Sequence, residues 1–528
     1  MSQQTIRLPE VDDETNATVA RLNKRLTDLA PRNAMLDAYY DAERNMRRMH
    51  GGIVPEQYYR LGLVLGWAAK GVDALARRCN LEGMVWSGGD LDSLGFRDLW
   101  NSNRLGSETD QGITSALVHG PAYVVASRGG DGEPLGLIHY YSATNAMGTR
   151  NARTRRLDDL LVINERDDEG EPSALTLYLP DVTVTAVKDQ GRWEVDESPN
   201  VFGEVTAAPL LYSPRLNKPM GRTRITRPVR GFQDAAARAL VRLEGHMDVY
   251  AYPEFWMLGA DPSVFKDADG NPLPEWRQRL GRIKGIPDDK DEDEPSLARA
   301  DVKQFSAASP SPHLADLNTL AKLTARELSL PDSALALTDL ANPTSAEAYD
   351  ASQYELIGEA EGAQDEFSPA LEFVTPFALA MQNGLSSVPA EWLSIAANWR
   401  PAQYETRAAQ ADAGQKQLAS VPWLAETEVG LELLGLDPQQ IDRAVAERQR
   451  AQARANLTAL VQTGQASGGV ESAAELKAKF DALGVAIRAG VEPEDAAAQL
   501  GLQGTRFTGA VPVSLRVPES QAPGLEDR

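Results

Sequence analysis

The spacing of apolar residues changes along the chain, and each change marks a different kind of segment. Residues 34–48 (AMLDAYYDAERNMRR) and 61–79 (LGLVLGWAAKGVDALARRC) carry apolar side chains at helical period and predict two amphipathic helices, with the HGGIVPEQ turn between them. From about 83 to 212 the pattern becomes short apolar runs separated by Gly, Asp and Asn. The clusters Gly129-Gly130-Asp131-Gly132 and Asp168-Glu169-Gly170-Glu171 sit between β-branched and aromatic stretches, as hairpin turns do, so this span reads as antiparallel β.

A helix starts sharply at residue 226, where Thr226 can cap and Pro228 suits a first turn that needs no intrahelical donor. Val229, Ala236, Leu243 and Tyr250 recur every seven residues, with Phe232 and Met247 close to the same face, so one stripe should meet a neighbour. At 1.5 Å rise per residue this helix spans roughly 35 Å. Residues 253–311 then form a compact insertion: strand-like PEFWMLG, a turn DADGN, a short helix from Trp276 to Ile283, an acidic run from Asp288 to Glu294, and strand-like ADVKQFSA. Ser311 and Pro312 open a second helix, with Leu314, Leu317, Ala321 and Leu328 at helical spacing. The segment PDSALALTDLANP has two prolines and no period, and reads as a loop of about a dozen residues, long enough to suggest a function. Thr344 with Glu347 has capping-box spacing and starts another long helix. Beyond 420 the chain reads as helices broken by a TGQASGG linker, ending in a loosely ordered tail.

A chain of 528 residues exceeds one core, and 42% hydrophobic with 24% charged residues excludes a chain dominated by disorder. The best membrane candidate, LGLVLGWAA at 61–69, is about half the roughly 20 residues a spanning helix needs, so no membrane partner is expected. The N-terminus MSQQTIRLPEVDDE lacks the order of a signal peptide, and the single cysteine, Cys79, permits neither an intrachain disulfide nor a CxxC motif. An intracellular origin fits. Fifty-three basic against 76 acidic side chains give a formal charge of −23, which repels a polyanion over most of the surface. A protein of this charge that handles DNA does so as a conduit, without counterion-release affinity. Two basic patches interrupt the acid: Arg150, Arg153, Arg155 and Arg156, then Arg215, Lys218, Arg222, Arg224, Arg227 and Arg230. Arginine at that density suits phosphate, and in an acidic homo-oligomer it suits salt bridges to a neighbouring subunit, the reading favoured here.

Motifs for chemistry are missing. There is no phosphate-cradling G-x-x-x-x-G-K-[ST], no G-x-G-x-x-G, no H-E-x-x-H and no G-x-S-x-G, and the five histidines are dispersed. The turn Asp267 to Asn271 has its glycine at the fourth place, where a calcium loop needs it at the sixth. No catalytic, cofactor or metal site is expected, and no enzyme activity.

The string PMGRTRITRPVRGFQDAAARALVRLEGHMDVYAYPEFWMLG at 219–260 resembles the beginning of the stem in portal proteins of tailed bacteriophages. NPTSAEAYDASQYELIGEAEGAQDEF at 342–367, preceded by LTARELSLP, is similar to that family's tunnel loop running into its long wing helix. AAELKAKFDALGVAIRAGVEPEDAAAQLGL resembles C-terminal segments of portals from phages infecting actinobacteria. The likeness covers about 34–510 and is strongest at 219–367.

The resemblance implies an α+β, multi-region portal fold. Its parts would be an N-terminal arm (1–33), a mixed wing with antiparallel β (34–227 and 344–420) and a two-helix stem (228–252 and 312–331). A small α/β clip (253–311), a tunnel loop (332–343), a helical crown (421–505) and a flexible tail (506–528) complete it. The family's subunits form a ring, twelve in the virion, so a homododecamer is implied at the capsid portal vertex, made in the host cytoplasm. It would be the channel for packaging and ejecting double-stranded DNA without sequence specificity. Ser333, Leu335, Leu337, Thr338 and Asp339 would line the narrowest channel. Trp276, Asp288, Asp289, Asp291 and Glu292 in the clip would dock the terminase large subunit and then the head-to-tail adaptor. Major capsid and scaffolding proteins are further implied partners. Two alternatives stay open: another phage head structural protein, such as a capsid or adaptor subunit, and a hydrolase with an unrecognised site.

Overall fold

The computed structural model describes residues 6–43, 63–250, 255–260, 266, 269–271, 283–287, 301–304, 308–336, 351–403, 407–436, 438–465, 473–488 and 491–502. The chain divides into two compact units, Met1–Gln403 and Tyr404–Arg528.

In the first unit α1 (Asp13–Tyr40) and α2 (Trp67–Ala76) are followed by β1 (Leu81–Trp86), α3 (Phe96–Ser102) and α4 (Leu105–His119). Strands β2 (Pro121–Arg128), β3 (Gly136–Ser142), β4 (Ala146–Arg150) and β5 (Leu157–Arg166) come next. They continue as β6 (Pro172–Tyr178), β7 (Val182–Asp189), β8 (Arg192–Pro199) and β9 (Ala207–Leu211). Then come α5 (Arg227–Tyr250), β10 (Phe255–Ala260), β11 (Ile283–Pro287) and β12 (Asp301–Gln304). The unit closes with α6 (Ser311–Glu327), α7 (Tyr354–Gln382) and β13 (Ile395–Trp399).

Strands β4 to β8 form an antiparallel meander, and β3-β2-β9 form a second antiparallel sheet. The two glycine-acid clusters join β2 to β3 and β5 to β6, as the turn chemistry requires. Strand β1 pairs antiparallel with β13, so Leu81 lies opposite Trp399. In the 253–311 insertion β10 lies between β11 and β12, parallel to the first and antiparallel to the second. Ile283 therefore opens a strand and does not end a helix; the rest of the expected helix from Trp276 lies outside the described residues. A parallel pair needs a crossover, and the turn at Asp269 and Gly270, with Gly270 at φ +84°, lies within it.

Further sequence expectations need correction, beginning with the helix expected over 61–79, which runs only over Trp67–Ala76 among the described residues. The first helix begins at Asp13, within the stretch assigned to an arm, and runs through Pro31 to Tyr40. Asp12 caps it by accepting from the Thr15 amide at 2.6 Å. Val19, Leu22 and Leu26 pack under the meander with Leu161, Leu175 and Leu177, while Leu36 and Tyr39 reach the main core, so α1 bridges two cores. Its Arg21 also pairs with buried Asp159 at 2.6 Å. The span from 83 to 212 is not all β, because α3 and α4 occupy 96–119. Leu105, Thr109, Gly112, Ile113, Ala116 and Leu117 are buried at helical spacing. At Gly112 a Cβ would stand 2.4 Å from the Tyr140 ring, and this close approach seats α4 on β3. Along α5, Val229 and Ala236 are buried, but Leu243 is only half-buried and Met247 exposed, because beyond Val241 the helix leaves the body and keeps α6 as its neighbour.

The second unit is helical: α8 (Arg407–Ser420), α9 (Glu428–Leu433), α10 (Pro438–Gln465), α11 (Ala473–Arg488) and α12 (Pro493–Gln499). Leu483 and Ala486 of α11 pack with Ala496, Ala497 and Leu500.

Replacing Leu22 by alanine should cost about 2–5 kcal/mol, because the side chain is fully buried between α1 and the meander. Exposed Lys24→Ala should stay within about 0.5 kcal/mol. Urea unfolding of the two variants measures the difference.

Candidate functional site

After β9 the chain turns back on itself over 213–221 and returns alongside α4. The Arg222 amide donates to the Tyr212 carbonyl at 2.9 Å and the Arg224 amide to the Leu117 carbonyl at 2.8 Å. These bonds place the Arg224 side chain inside the protein, 3% exposed. Its guanidinium donates from Nε to the Gly71 carbonyl of α2 at 2.9 Å and from Nη2 to the Leu328 carbonyl, just past α6, at 2.6 Å. Nη1 donates to the Tyr212 hydroxyl at 3.0 Å and pairs with Glu359 of α7. Gly71 is required for this approach, because a Cβ there would lie 2.5 Å from the Leu328 side chain.

Burial, countered by Arg224, pushes the Tyr212 phenol up to about 12, so it stays protonated at neutral pH. Its hydroxyl donates to Glu359 Oε1 while accepting from Arg224. The other oxygen, Oε2, is buried with no hydrogen-bond partner among the described residues. About two turns further along α7, Glu366 accepts from the Ser213 amide at 2.6 Å. Its pKa is raised, first by burial, against lowering by that hydrogen bond and by Arg222. Cys79, also buried nearby, has its thiol pushed up to about 12 by burial and is a packing residue.

This is a joint. Leu328 and Glu359 lie on either side of the 329–353 segment, and Arg224 holds both to the root of α5. Of the residues expected to line a channel, Ser333 is exposed in a 3-10 turn at Asp332–Ala334. Leu335 is half-buried and packs against the cluster of Trp67, Ala236, Leu317 and Ala321. Leu337, Thr338 and Asp339, the capping box at Thr344 and Glu347, and the insertion residues Trp276, Asp288, Asp289, Asp291 and Glu292 lie outside the described residues.

The basic patches do not act as units. Arg224 is used inside its own chain, which corrects its reading as an intersubunit group. Arg156 pairs with Glu204 and stacks over Phe373 at 5.0 Å, and Arg230 lies over the Tyr39 ring at 5.9 Å. Arg215, Lys218, Arg222 and Arg227 are exposed. Sequence reading missed the Arg224 and Glu359 pair, whose members stand 135 residues apart. No local signal in the sequence points to either member. Among the described residues no group of three or more His, Cys, Asp or Glu could hold a metal ion. No described helix is long and apolar enough to cross a membrane.

A family model described as "Phage portal protein, SPP1 Gp6-like" matches residues 20–454, well over half of the chain. The chain belongs to this phage portal family. It is 28% identical over 422 residues to the portal protein of Mycobacterium phage D29, covering 78% of this chain and 84% of that one. To the portal protein of Mycobacterium phage L5 it is 28% identical over 421 residues, with the same coverage of 78% and 84%. Among solved structures it is similar to a chain of the native gene transfer agent virion: 16% identity, TM-score 0.36, 76% of this chain and 99% of that one. A chain from the neck of the empty gene transfer agent particle matches at 16% identity and TM-score 0.38, covering 75% and 97%. This portal protein is thus a structural, non-enzymatic component of the virion.

Arg224→Met should cost about 3 kcal/mol, because it removes the cation from half-buried Glu359, which keeps the Tyr212 hydroxyl, and the donors from the Gly71 and Leu328 carbonyls. The double variant Arg224→Met with Glu359→Leu should recover much of that loss, as thermal unfolding would show. A raised folded pKa means that the Glu366 contribution is full below the ordinary glutamate value of 4.5 and is lost as pH rises through the raised value. Glu366→Gln should flatten that loss, checked by unfolding midpoints from about pH 4 to about pH 8.

Proposed function

We propose that copies of this portal protein close into a ring, twelve in the virion, at one capsid vertex, and that the ring is the channel for packaging and ejecting double-stranded DNA. The family match over residues 20–454 supports this reading most. The physics of the chain agrees with it. A formal charge of −23 leaves little affinity for phosphate, which suits a surface that DNA must slide past. The paired helices α5, of 24 residues, and α6, of 17, expose Met247, Leu314 and Leu323, apolar groups that contacts between copies would cover. Heterologous contacts that close on themselves give a ring.

In this ring α5 and α6 are the stem, with bounds near 228–252 and 312–331, and the 253–311 insertion is the clip. Residues 34–227 and 344–420 build the wing, extended at its N-terminal end by α1, and residues 421–505 supply the crown. The 332–343 loop faces the channel, with Ser333, Leu335, Leu337, Thr338 and Asp339 at its narrowest part. The clip, through Trp276, Asp288, Asp289, Asp291 and Glu292, docks the terminase large subunit during filling and the head-to-tail adaptor afterwards. Capsid and scaffolding proteins surround the wing.

Negative-stain electron microscopy of the purified chain, with mass measured on the same sample, should show rings with a central channel. Their mass should approach twelve times 57.3 kDa. A monomer that also fails to enter capsids would overturn the proposal. Deleting Ala334 to Leu337 should reduce packaging or retention of DNA while rings persist; equal packaging and retention would remove the channel loop from the mechanism.

A further inference from the structure

We propose that the hairpin between β9 and α5 docks on the acidic outer face of α7 in a second copy of this chain, as one of the contacts that close the ring. The inference rests on the ring reading above and names the surfaces that meet.

The hairpin is built to project. Reciprocal backbone bonds, Arg215 N–H to the Lys218 carbonyl at 3.1 Å and Lys218 N–H to the Arg215 carbonyl at 2.8 Å, leave Leu216 and Asn217 at its tip. Leu216 is 103% exposed, touching nothing that covers it in its own chain. Exposed Arg215 and Lys218 flank it, and exposed Arg222 stands at the base. A tip ordered by its own backbone loses little freedom on docking.

The receiving surface is a helix face that the described residues leave bare. Tyr354, Glu355, Gly358, Glu361, Gly362 and Asp365 recur at helical spacing on the exposed side of α7. Tyr354 is 63% exposed, and a Cβ built at Gly358 or Gly362 would meet nothing within 4 Å. The two glycines leave a shallow track in which an apolar tip can reach the backbone, with the Tyr354 ring beside it. Three carboxylates, Glu355, Glu361 and Asp365, border the track and are opposite in sign to Arg215 and Lys218 beside the tip; Arg222, at the base, acts on Glu366 of its own chain.

Those carboxylates repel a nucleic acid, so phosphate is the wrong occupant for α7. A second copy brings the complementary charge and the apolar tip together. Each chain carries one hairpin and one such face, two different patches, and repeated head-to-tail contact between them is the heterologous arrangement a ring needs.

Two variants that each add one cysteine, Leu216→Cys and Gly362→Cys, test the contact. Both positions are exposed, and the native Cys79 is buried. Assembled together and oxidised, they should give a crosslinked dimer that neither variant gives alone, so that each crosslink must join two copies. Lys218→Glu should weaken ring assembly by at least about tenfold, and Glu361→Lys in the same chain should restore it. Circular dichroism should show both variants folded. Rings that form without any mixed crosslink, or that assemble equally well with Lys218→Glu, would overturn this contact and leave the ring standing. A wild-type chain that forms no ring would overturn both.

Discussion

The burial of the Arg224 guanidinium organises the first unit. An arginine side chain cannot shed its charge, so removing it from water obliges the surrounding chain to supply acceptors to all three of its nitrogens. Those acceptors come from α2, from the end of β9, from the residue after α6 and from α7. None of these elements can shift without leaving a buried donor unmet. A buried pair of this kind adds little net stability relative to apolar packing, yet breaking it is costly, so its effect is to select one arrangement. The selected arrangement fixes both flanks of the segment that precedes α7.

Around that charge the packing is set by close approach. Gly71 admits the Leu328 side chain to the flank of α2, and Gly112 admits the Tyr140 ring to α4, where the Tyr140 hydroxyl meets Thr109 at 2.7 Å. The N-terminal turn of α2 has no side-chain cap of its own. Gln233 of α5 supplies one from a distance, its Oε1 accepting from the Ala68 amide at 2.9 Å. The long helix α1 then ties the meander to the main core. The start of α2 is thus satisfied from a remote element, which ties α2 to α5.

Much of the fold was legible where the signal was local. The start of α6 at Ser311 and the turns after β2 and β5 each depend on residues within a few positions. At the start of α5 the position was legible but the cap was not: Thr226 Oγ1, expected to cap, is buried with no hydrogen-bond partner among the described residues. The misses have a common cause. In α1 the apolar stripe of Val19, Leu22 and Leu26 is thin, and Pro31 reads as a break; only the sheet beneath makes the helix worth forming. In α3 and α4 the glycines and polar residues between strands suggested turns, although Gly112 is there for contact with β3. The candidate site was least legible, because Arg224 and Glu359 are ordinary residues in their own segments and meaningful only as a pair. The same holds for the exposed tip at Leu216 and the bare face of α7, since exposure is a property of the folded chain.

The pairing of β1 with β13 has a consequence for how the protein is made. Arg400 and Glu82, which extend that pairing with a 2.8 Å ion pair, stand 318 residues apart. Closing a loop of that length costs about 5 kcal/mol of chain entropy by the logarithmic rule. During synthesis β1 is an unpaired edge until β13 leaves the ribosome, an interval of about 15 to 60 s at typical elongation rates. A subunit is therefore sealed late, after α7 has emerged.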